Sequence, residues 1–480
     1  MPRRFSTLAV VACVVAVALA GGVAAQQQAA VTGTQPRPNI VLMFPDNLGW
    51  GEVGAYGSVR GVPTPRIDQI GTEGIRLTNF NTEYSCTVSR IAMLTGRYAV
   101  RSGGSQGSGM TLWEVTIAET LKAVGYATGL FGKYHVGGDN WVETKRDPMA
   151  QGFDEWWGIP GTSHTAQFTS LPTWNPADEP PYIWEGRAGE APKQVKVYDL
   201  ESRRTIDRES AERGIGFIER NAKAKRPFFA LIAFTHLHFP TLPHPDFAGK
   251  TGAGDMGDAM ADLDHSTGLV LDAIKRAGID GNTIVLWCTD GGGEARRPWR
   301  GSNGPWSGFY NGVLEGGIRA PCMVRWPGRI PAGRVSNEIV HEIDFLPTFA
   351  AAAGAAVPTD RAIDGVNQLP FLEGKQPRSN RESVLFHTGN TVRAVKWRDW
   401  KFHYQYQNNE GTGGGTPGTP MRLFNLRTDP REDTDVKDFN PWAKSLMDKL
   451  VADFQATTQR YPHVPPNARD PYVPPGKGGG

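Results

Sequence analysis

Long apolar runs are missing from almost all of this chain. Past residue 25 no stretch comes near the roughly 18 apolar residues that a membrane-crossing helix needs. A surplus of one charge is missing as well. The formal net charge is +2, and Arg3 and Arg4 account for all of it, which leaves no basic excess to recruit a nucleic acid. No internal repeat is visible, which argues against a solenoid or propeller. Cysteine is scarce, with four in 480 residues, at positions 13, 86, 288 and 322.

The first 25 residues are the exception to the missing apolar runs. Arg3 and Arg4 form a positive n-region, residues 8–20 an apolar h-region, and Val23-Ala24-Ala25 a small-residue cleavage site before Gln26. This reads as a secretory signal, so a secreted or periplasmic protein is expected, without membrane association once the signal is cleaved. Residues 26–37 are polar and read as a flexible lead-in. Cys13 leaves with the signal. The three remaining cysteines are an odd count in an oxidising compartment, so at least one thiol has no partner. Cys288 and Cys322 lie in apolar runs, where burial and mutual pairing both stay open. Cys86 stands apart.

The rest of the chain alternates helical patterns with short apolar runs. Residues 40–44, 127–131, 227–234 and 283–288 have the texture of buried parallel strands. Helical patterns cover 65–71, 115–124, 209–225 and 255–277. Residues 138–200, rich in Trp, Pro and Gly, read as long loops. These elements predict an α/β fold, a mostly parallel sheet sandwiched by helices. Beyond residue 380 the pattern changes to a small C-terminal antiparallel α+β subdomain, with strands in 392–406 and 421–425 and a helix over 441–461. The expected division is a main domain 38–380, a subdomain 381–461 and an unstructured tail 462–480, with a flexible Gly411–Gly415 loop.

Polar and ionisable residues collect at the carboxyl ends of the four apolar strands: Asp46, then Lys133 and His135, then His238, then Asp290. Open α/β sheets place their ligands at such ends. The stretch Cys86-Thr87-Val88-Ser89-Arg90 begins a further helix, and its spacing puts Cys86, Ser89 and Arg90 on one face. A thiol at a helix N-terminus beside a guanidinium is a candidate nucleophile next to an anion clamp. A small buried cysteine beside a surface charge is the competing reading.

In this order and spacing the residues resemble the sulfatases of the alkaline phosphatase superfamily. The resemblance spans the strand with Asp46, the signature 86–97, Gly132-Lys133-Tyr134-His135, residues 227–240 and the Asp290 loop. It continues through Glu315-Gly316-Gly317-Ile318-Arg319-Ala320-Pro321 and Arg325-Trp326-Pro327-Gly328. It implies an alkaline-phosphatase-like fold and an exported sulfate-ester hydrolase of arylsulfatase type. In that family the signature cysteine, here Cys86, is oxidised to formylglycine by the formylglycine-generating enzyme, and its hydrated aldehyde attacks sulfur. The resemblance further implies a divalent cation, usually calcium, held by Asp46, Asn47, modified Cys86 and Asp290. Arg90 and Lys133 would neutralise sulfate and nucleophile, His135 would assist the elimination, and His238 would protonate the leaving oxygen. His236 and His244 compete with His238, which the His-Phe-Pro match favours. The implied substrate is a small-molecule or carbohydrate sulfate ester.

Four positions depart from the family pattern. Val88 replaces the proline two residues after the cysteine. Asn47 replaces a metal aspartate, and Gly291 an amide ligand, leaving two carboxylates where the family has three. Tyr310 replaces a sulfate-binding lysine, with Asn303 or Asn311 able to share its duty. Two alternatives accompany the sulfatase reading: a phosphodiester or phosphonate monoester hydrolase of the same superfamily, and a non-catalytic relative that binds sulfated ligands.

Overall fold

The computed structural model describes residues 37–105, 107–406 and 420–475. The expected signal, most of the lead-in and the Gly411–Gly415 loop lie outside the described residues. The middle of the fold is strand β1 (Asn39–Met43), five residues buried on both faces. Its apolar run has no polar alternation because helices cover both sides. Ile40 and Leu42 point into one core, with Ile91, Leu94, Leu121 and Phe349 from three helices. Val41 and Met43 point into the other, with Ile67, Ile70, Ile206, Phe217 and Leu263 from three more. This period-2 division makes the fold a three-layer sandwich.

The strands that follow are β2 (Ile75–Asn81), β3 (Ala127–Gly132), β4 (Glu155–Gly158), β5 (Tyr182–Arg187) and β6 (Lys193–Val197). After them come β7 (Phe228–Ala233), β8 (Thr283–Cys288), β9 (Arg319–Arg325), β10 (Arg334–Ser336) and β11 (Val340–His341). Together with β1 they form one sheet in the order β10-β2-β9-β8-β1-β7-β3-β4-β5-β6, with β11 also on β2. Strands β8, β1, β7, β3 and β4 run parallel, while β9 and the β5–β6 edge run antiparallel. The parallel centre agrees with the sequence reading. Cys288 and Cys322 face each other in register across β8 and β9, and both thiols are free.

Three expectations are corrected. Residues 138–200 are not loops throughout, because they contain β4, β5 and β6. Trp141 packs on Trp156 and Trp184 at 5.5 and 4.9 Å, so these tryptophans cement that edge. The charged helix begins at Leu200 rather than near 209, with Asp199 capping it by accepting a hydrogen bond from Ser202 N at 2.8 Å. The tail is tied down over part of its length. Val464 N donates to Arg101 O at 2.8 Å, and Asp470 accepts from Leu112 N at 2.9 Å and from Arg146 Nε at 2.6 Å.

The C-terminal sheet is antiparallel, as expected: β12 (Ser383–Thr388), β13 (Thr391–Trp397), β14 (Trp400–His403) and β15 (Arg422–Asn425). The helix Pro441–Arg460 covers it with Ala443, Met447 and Phe454. A charged cluster joins the two sheets. Lys396 and Lys401 reach Glu315 at 2.7 and 2.9 Å, and Lys401 also meets Glu432 at 3.0 Å, all fully buried. Glu432 in turn accepts from Glu315 N at 2.7 Å and is paired with His403 at 2.7 Å. Removing one partner of a buried ion pair strands the other in a low-dielectric interior. Lys401→Met is expected to lower the unfolding free energy by about 3 kcal/mol or more, read from urea denaturation. A loss within the error of the melt would mean the cluster is not what joins the sheets.

Candidate active site

Because β1, β3, β7 and β8 are parallel, their carboxyl ends lie along one edge of the sheet, and the expected residues meet there. Asp46 and Asn47 follow β1, Lys133 and His135 follow β3, His238 follows β7 and Asp290 follows β8. Asn47 and His135 leave their strands in left-handed backbone, with φ of 52° and 59°. Asn adopts that region more readily than most residues. The helix Cys86–Thr95 points its first turn into the same place, so Cys86 sits at its N-terminus and Arg90 one turn further in.

Arg90 is the tie. Its Nε donates to Asp290 Oδ2 at 3.0 Å and its Nη1 to Lys133 O at 2.9 Å, while Nη2 is ion-paired 2.8 Å from Asp290 Oδ2 and lies 3.7 Å from Asp46 Oδ1. Lys133 Nζ donates to Asp46 Oδ2 at 2.7 Å, and Ser163 Oγ donates to the same oxygen at 2.9 Å. The Cys86 thiol accepts from Tyr310 Oη at 3.0 Å, and that hydroxyl also accepts from Cys86 N at 3.0 Å. His135 Nδ1 lies 3.3 Å from the thiol, and Thr87 Oγ1 is 3.2 Å from His135 Nε2. His238 donates its Nδ1 proton to Phe239 O at 2.7 Å, which leaves Nε2 as the acceptor for Thr162 Oγ1 at 3.1 Å.

Of these side chains Cys86, Thr87, His135, Thr162, His238 and Tyr310 line a cavity of about 500 Å³ that also includes His164, Glu294, Arg296 and Asn311. His238 is the one of the three candidate histidines that lines it. His236 is buried against Asp262 at 3.2 Å, and His244 donates its backbone N to the same aspartate at 3.1 Å. Asn303 is not among the residues that line the cavity. It accepts from Gly293 N at 2.7 Å and donates to Gly308 O at 2.9 Å, so its amide braces the loop after Asp290. Thr162, Ser163, His164, Glu294 and Arg296 had no signal in the sequence.

Burial dominates the proton affinities. It would raise both aspartates, but Lys133, His238 and Arg90 outweigh it at Asp46 and hold that carboxyl far below its usual range. At Asp290, burial and the charge of Asp46 prevail over Arg90 and push the pKa up to about 7. Burial also raises the Cys86 thiol, which Lys133 only partly offsets, and brings His238 down to about 3. His135 is lowered well below its ordinary value by burial, then by Lys133 and Arg90.

Ligand atoms of Asp46, Cys86 and Asp290 all lie within 4.8 Å of one another. Asp46 Oδ1 and Asn47 Oδ1 are buried and accept no hydrogen bond. An orphaned carboxylate oxygen and an orphaned amide oxygen, with the second carboxylate of Asp290 close by, fit a hard divalent cation.

Residues 38–355 match the family model for sulfatases, and residues 308–459 match that for the C-terminal region of N-sulphoglucosamine sulphohydrolase. The chain is 31% identical to rat (Rattus norvegicus) steryl-sulfatase over 491 residues, covering 83% of this chain and 84% of that protein. It is 33% identical to arylsulfatase A of Bos taurus over 433 residues, covering 84% and 83%. The crystal structure of the PsFucS1 sulfatase from Pseudoalteromonas sp. superposes with a TM-score of 0.80 at 28% identity, covering 89% of this chain and 92% of that one. The chain belongs to the sulfatase family of the alkaline phosphatase superfamily. Its chemistry is the hydrolysis of sulfuric esters.

A pH test follows from Asp290. Its folded-state pKa, about 7, lies above its ordinary 3.8, so the metal-free fold loses stability as pH rises through that window. A cation needs the ionised carboxylate and offsets that loss. The rise in melting temperature on adding calcium is therefore expected to be larger at pH 8 than at pH 5. A rise independent of pH would remove Asp290 from the binding site.

Proposed function

We propose that this protein hydrolyses sulfate monoesters with residue 86 as formylglycine and a divalent cation, calcium by its donor set, held by Asp46, Asn47, Asp290 and residue 86. The observation that supports this is the surroundings of Cys86. A thiol without a disulfide partner touches Tyr310 and His135, within the reach of two carboxylates. The surroundings do not favour a thiolate, since burial raises the thiol and Lys133 only partly offsets it. Formylglycine would supply a hydrated aldehyde as nucleophile, its oxygen bonding to sulfur as the S–O bond to the leaving alcohol breaks and sulfate later departing with return of the aldehyde. The cation would supply positive charge for the ester.

The chain's own residues then have distinct tasks. Tyr310 Oη and His135 Nδ1 reach the side chain of residue 86 from two sides, Tyr310 to orient it and His135 to take its remaining hydroxyl proton in the step that eliminates sulfate. Asp46 and Asp290 formally cancel Lys133 and Arg90, so any added cation leaves a net positive field for an anionic ester. His238 presents Nε2 to the cavity and gives a proton to the leaving oxygen. At rest burial keeps it neutral, and a negative ester placed opposite raises its proton affinity.

Residues 1–25 serve as an export signal in this reading, giving a secreted or periplasmic enzyme. Among the described residues no helix is long and apolar enough to cross a membrane. Cys86 is only 4% exposed, so the formylglycine-generating enzyme meets residues 86–97 before they fold, where Val88 is read in extended chain. The substrate is a small-molecule or sugar sulfate ester; the matched relatives include a steryl-sulfatase and an arylsulfatase.

Mass spectrometry of the peptide containing residue 86 is expected to show the aldehyde or its hydrate, and Cys86→Ala to lower aryl sulfate turnover by about 10,000-fold or more. An unmodified thiol in fully active protein sinks the mechanism. Faster turnover of an aryl phosphonate monoester than of the aryl sulfate would move the protein to the phosphonate hydrolases. His238→Ala is expected to cost about 100-fold or more on an alkyl sulfate and far less on 4-nitrophenyl sulfate, whose phenolate leaves without a proton. Equal losses on both would take the acid role from His238.

A further inference from the structure

Glu294 is the acidic residue that lines the cavity, and it has no task in the proposed mechanism. Its side chain is 11% exposed, and Oε1 accepts from Asn47 Nδ2 at 2.7 Å. The same oxygen stands 3.7 Å from His238 Nδ1, and Oε2 stands 3.8 Å from Arg296. Asn47 itself is 2% exposed, and its backbone N donates to Asp290 Oδ1 at 2.9 Å. An amide is planar, with its donor and its acceptor on opposite corners. A carboxylate that takes the Nδ2 corner fixes which way the oxygen faces. Asn47 Oδ1 is left buried without a hydrogen-bond donor, as is Asp46 Oδ1 on the preceding residue. Buried acceptors of this kind are costly unless something positive meets them.

We infer that Glu294 is a positioning residue of the cation site: it turns the Asn47 amide so that its oxygen faces the ion and, when ionised opposite the cation, supplies from behind the negative charge that Asn47 lacks. Partners behind a metal ligand orient it and raise its basicity, and accepting the amide proton polarises the carbonyl toward the ion. Asn47 in place of an aspartate leaves the site one carboxylate short of the family pattern. Glu294 restores the count through a hydrogen bond in place of a direct ligand. This inference rests on the cation reading above.

Calcium binding to the EDTA-stripped full chain, measured by isothermal titration calorimetry, tests it without activity as the readout. Glu294→Ala removes the charge and the amide anchor, and is expected to weaken binding about tenfold or more, the scale of such partners. Glu294→Gln keeps an acceptor for Nδ2 and should fall between Ala and wild type. Adding Asn47→Asp to Glu294→Ala should bring affinity back to near wild type, because a carboxylate presents an oxygen whichever way it turns. Wild-type affinity in Glu294→Ala, or no recovery in the double variant, overturns the inference. Melting in EDTA checks folding; if the Ala variants do not fold, Glu294→Gln with and without Asn47→Asp decides by the same loss and recovery. Wild-type protein that binds no calcium overturns the cation reading and this inference together, whereas calcium-bound wild type with an unaffected Glu294→Ala overturns this inference alone.

Discussion

Asp46 and Asp290 are buried side by side at the ends of neighbouring strands β1 and β8, and Arg90 lies between them. Neither carboxylate would be ionised in that interior alone, since burial favours the neutral acid. The guanidinium also reaches the Lys133 carbonyl at the end of β3. One side chain thus binds three strand ends to the first turn of the helix that carries Cys86. The arrangement is unequal by construction. Asp46 has Lys133 in direct contact and stays ionised, while Asp290 has only the shared arginine and takes up protons near neutrality. Every other contact at the site presupposes this frame, because a shift in register at β1 or β8 would part the carboxylates from their cations.

The second support comes from outside the main sheet. A Cβ on Gly292 would lie 1.9 Å from Gly316 O, and Gly292 N donates to Gly317 O at 3.0 Å. The loop after Asp290 and the turn 315–317 therefore touch backbone to backbone, which only glycine permits. That turn begins at Glu315, which Lys396 and Lys401 hold from strands β13 and β14. Tyr310 sits between the two segments, its N donating to Gly293 O at 3.1 Å. A line of contacts thus runs from the small sheet through Glu315 and the glycines to the hydroxyl that touches Cys86. The small sheet does not line the cavity near Cys86, yet it bears on the side chains that do.

What could be read from the sequence follows from burial. Strands β1, β3, β7 and β8 are covered on both faces, so they appear as plain apolar runs, and their ends mark Asp46, Lys133, His135, His238 and Asp290. Strands β4 to β6 approach an edge and carry Glu, Arg and Lys, which hid them among the loops. Asn303 looked like a sulfate ligand because it is an amide near the right motif. Its direction is set by Gly293 and Gly308, contacts that the sequence does not announce. Glu294 was invisible for a related reason: three glycines separate it from Asp290, and their path alone decides that it returns to Asn47.

The environment of Cys86 also bears on what residue 86 is built to be. A thiolate nucleophile wants neighbours that lower its pKa, such as a protonated histidine or an unpaired lysine. Here the histidine is kept neutral, Lys133 is committed to Asp46, and the thiol is raised by burial. The same surroundings suit oxygen. A phenol and an imidazole nitrogen stand within hydrogen-bond range of the side chain, and the nearby orphaned oxygens of Asp46 and Asn47 favour a hard cation that an oxygen ligand shares more readily than a thiol. The departures at Asn47 and Gly291 change which atoms would face that ion. They leave in place the preference of the surroundings for oxygen at position 86.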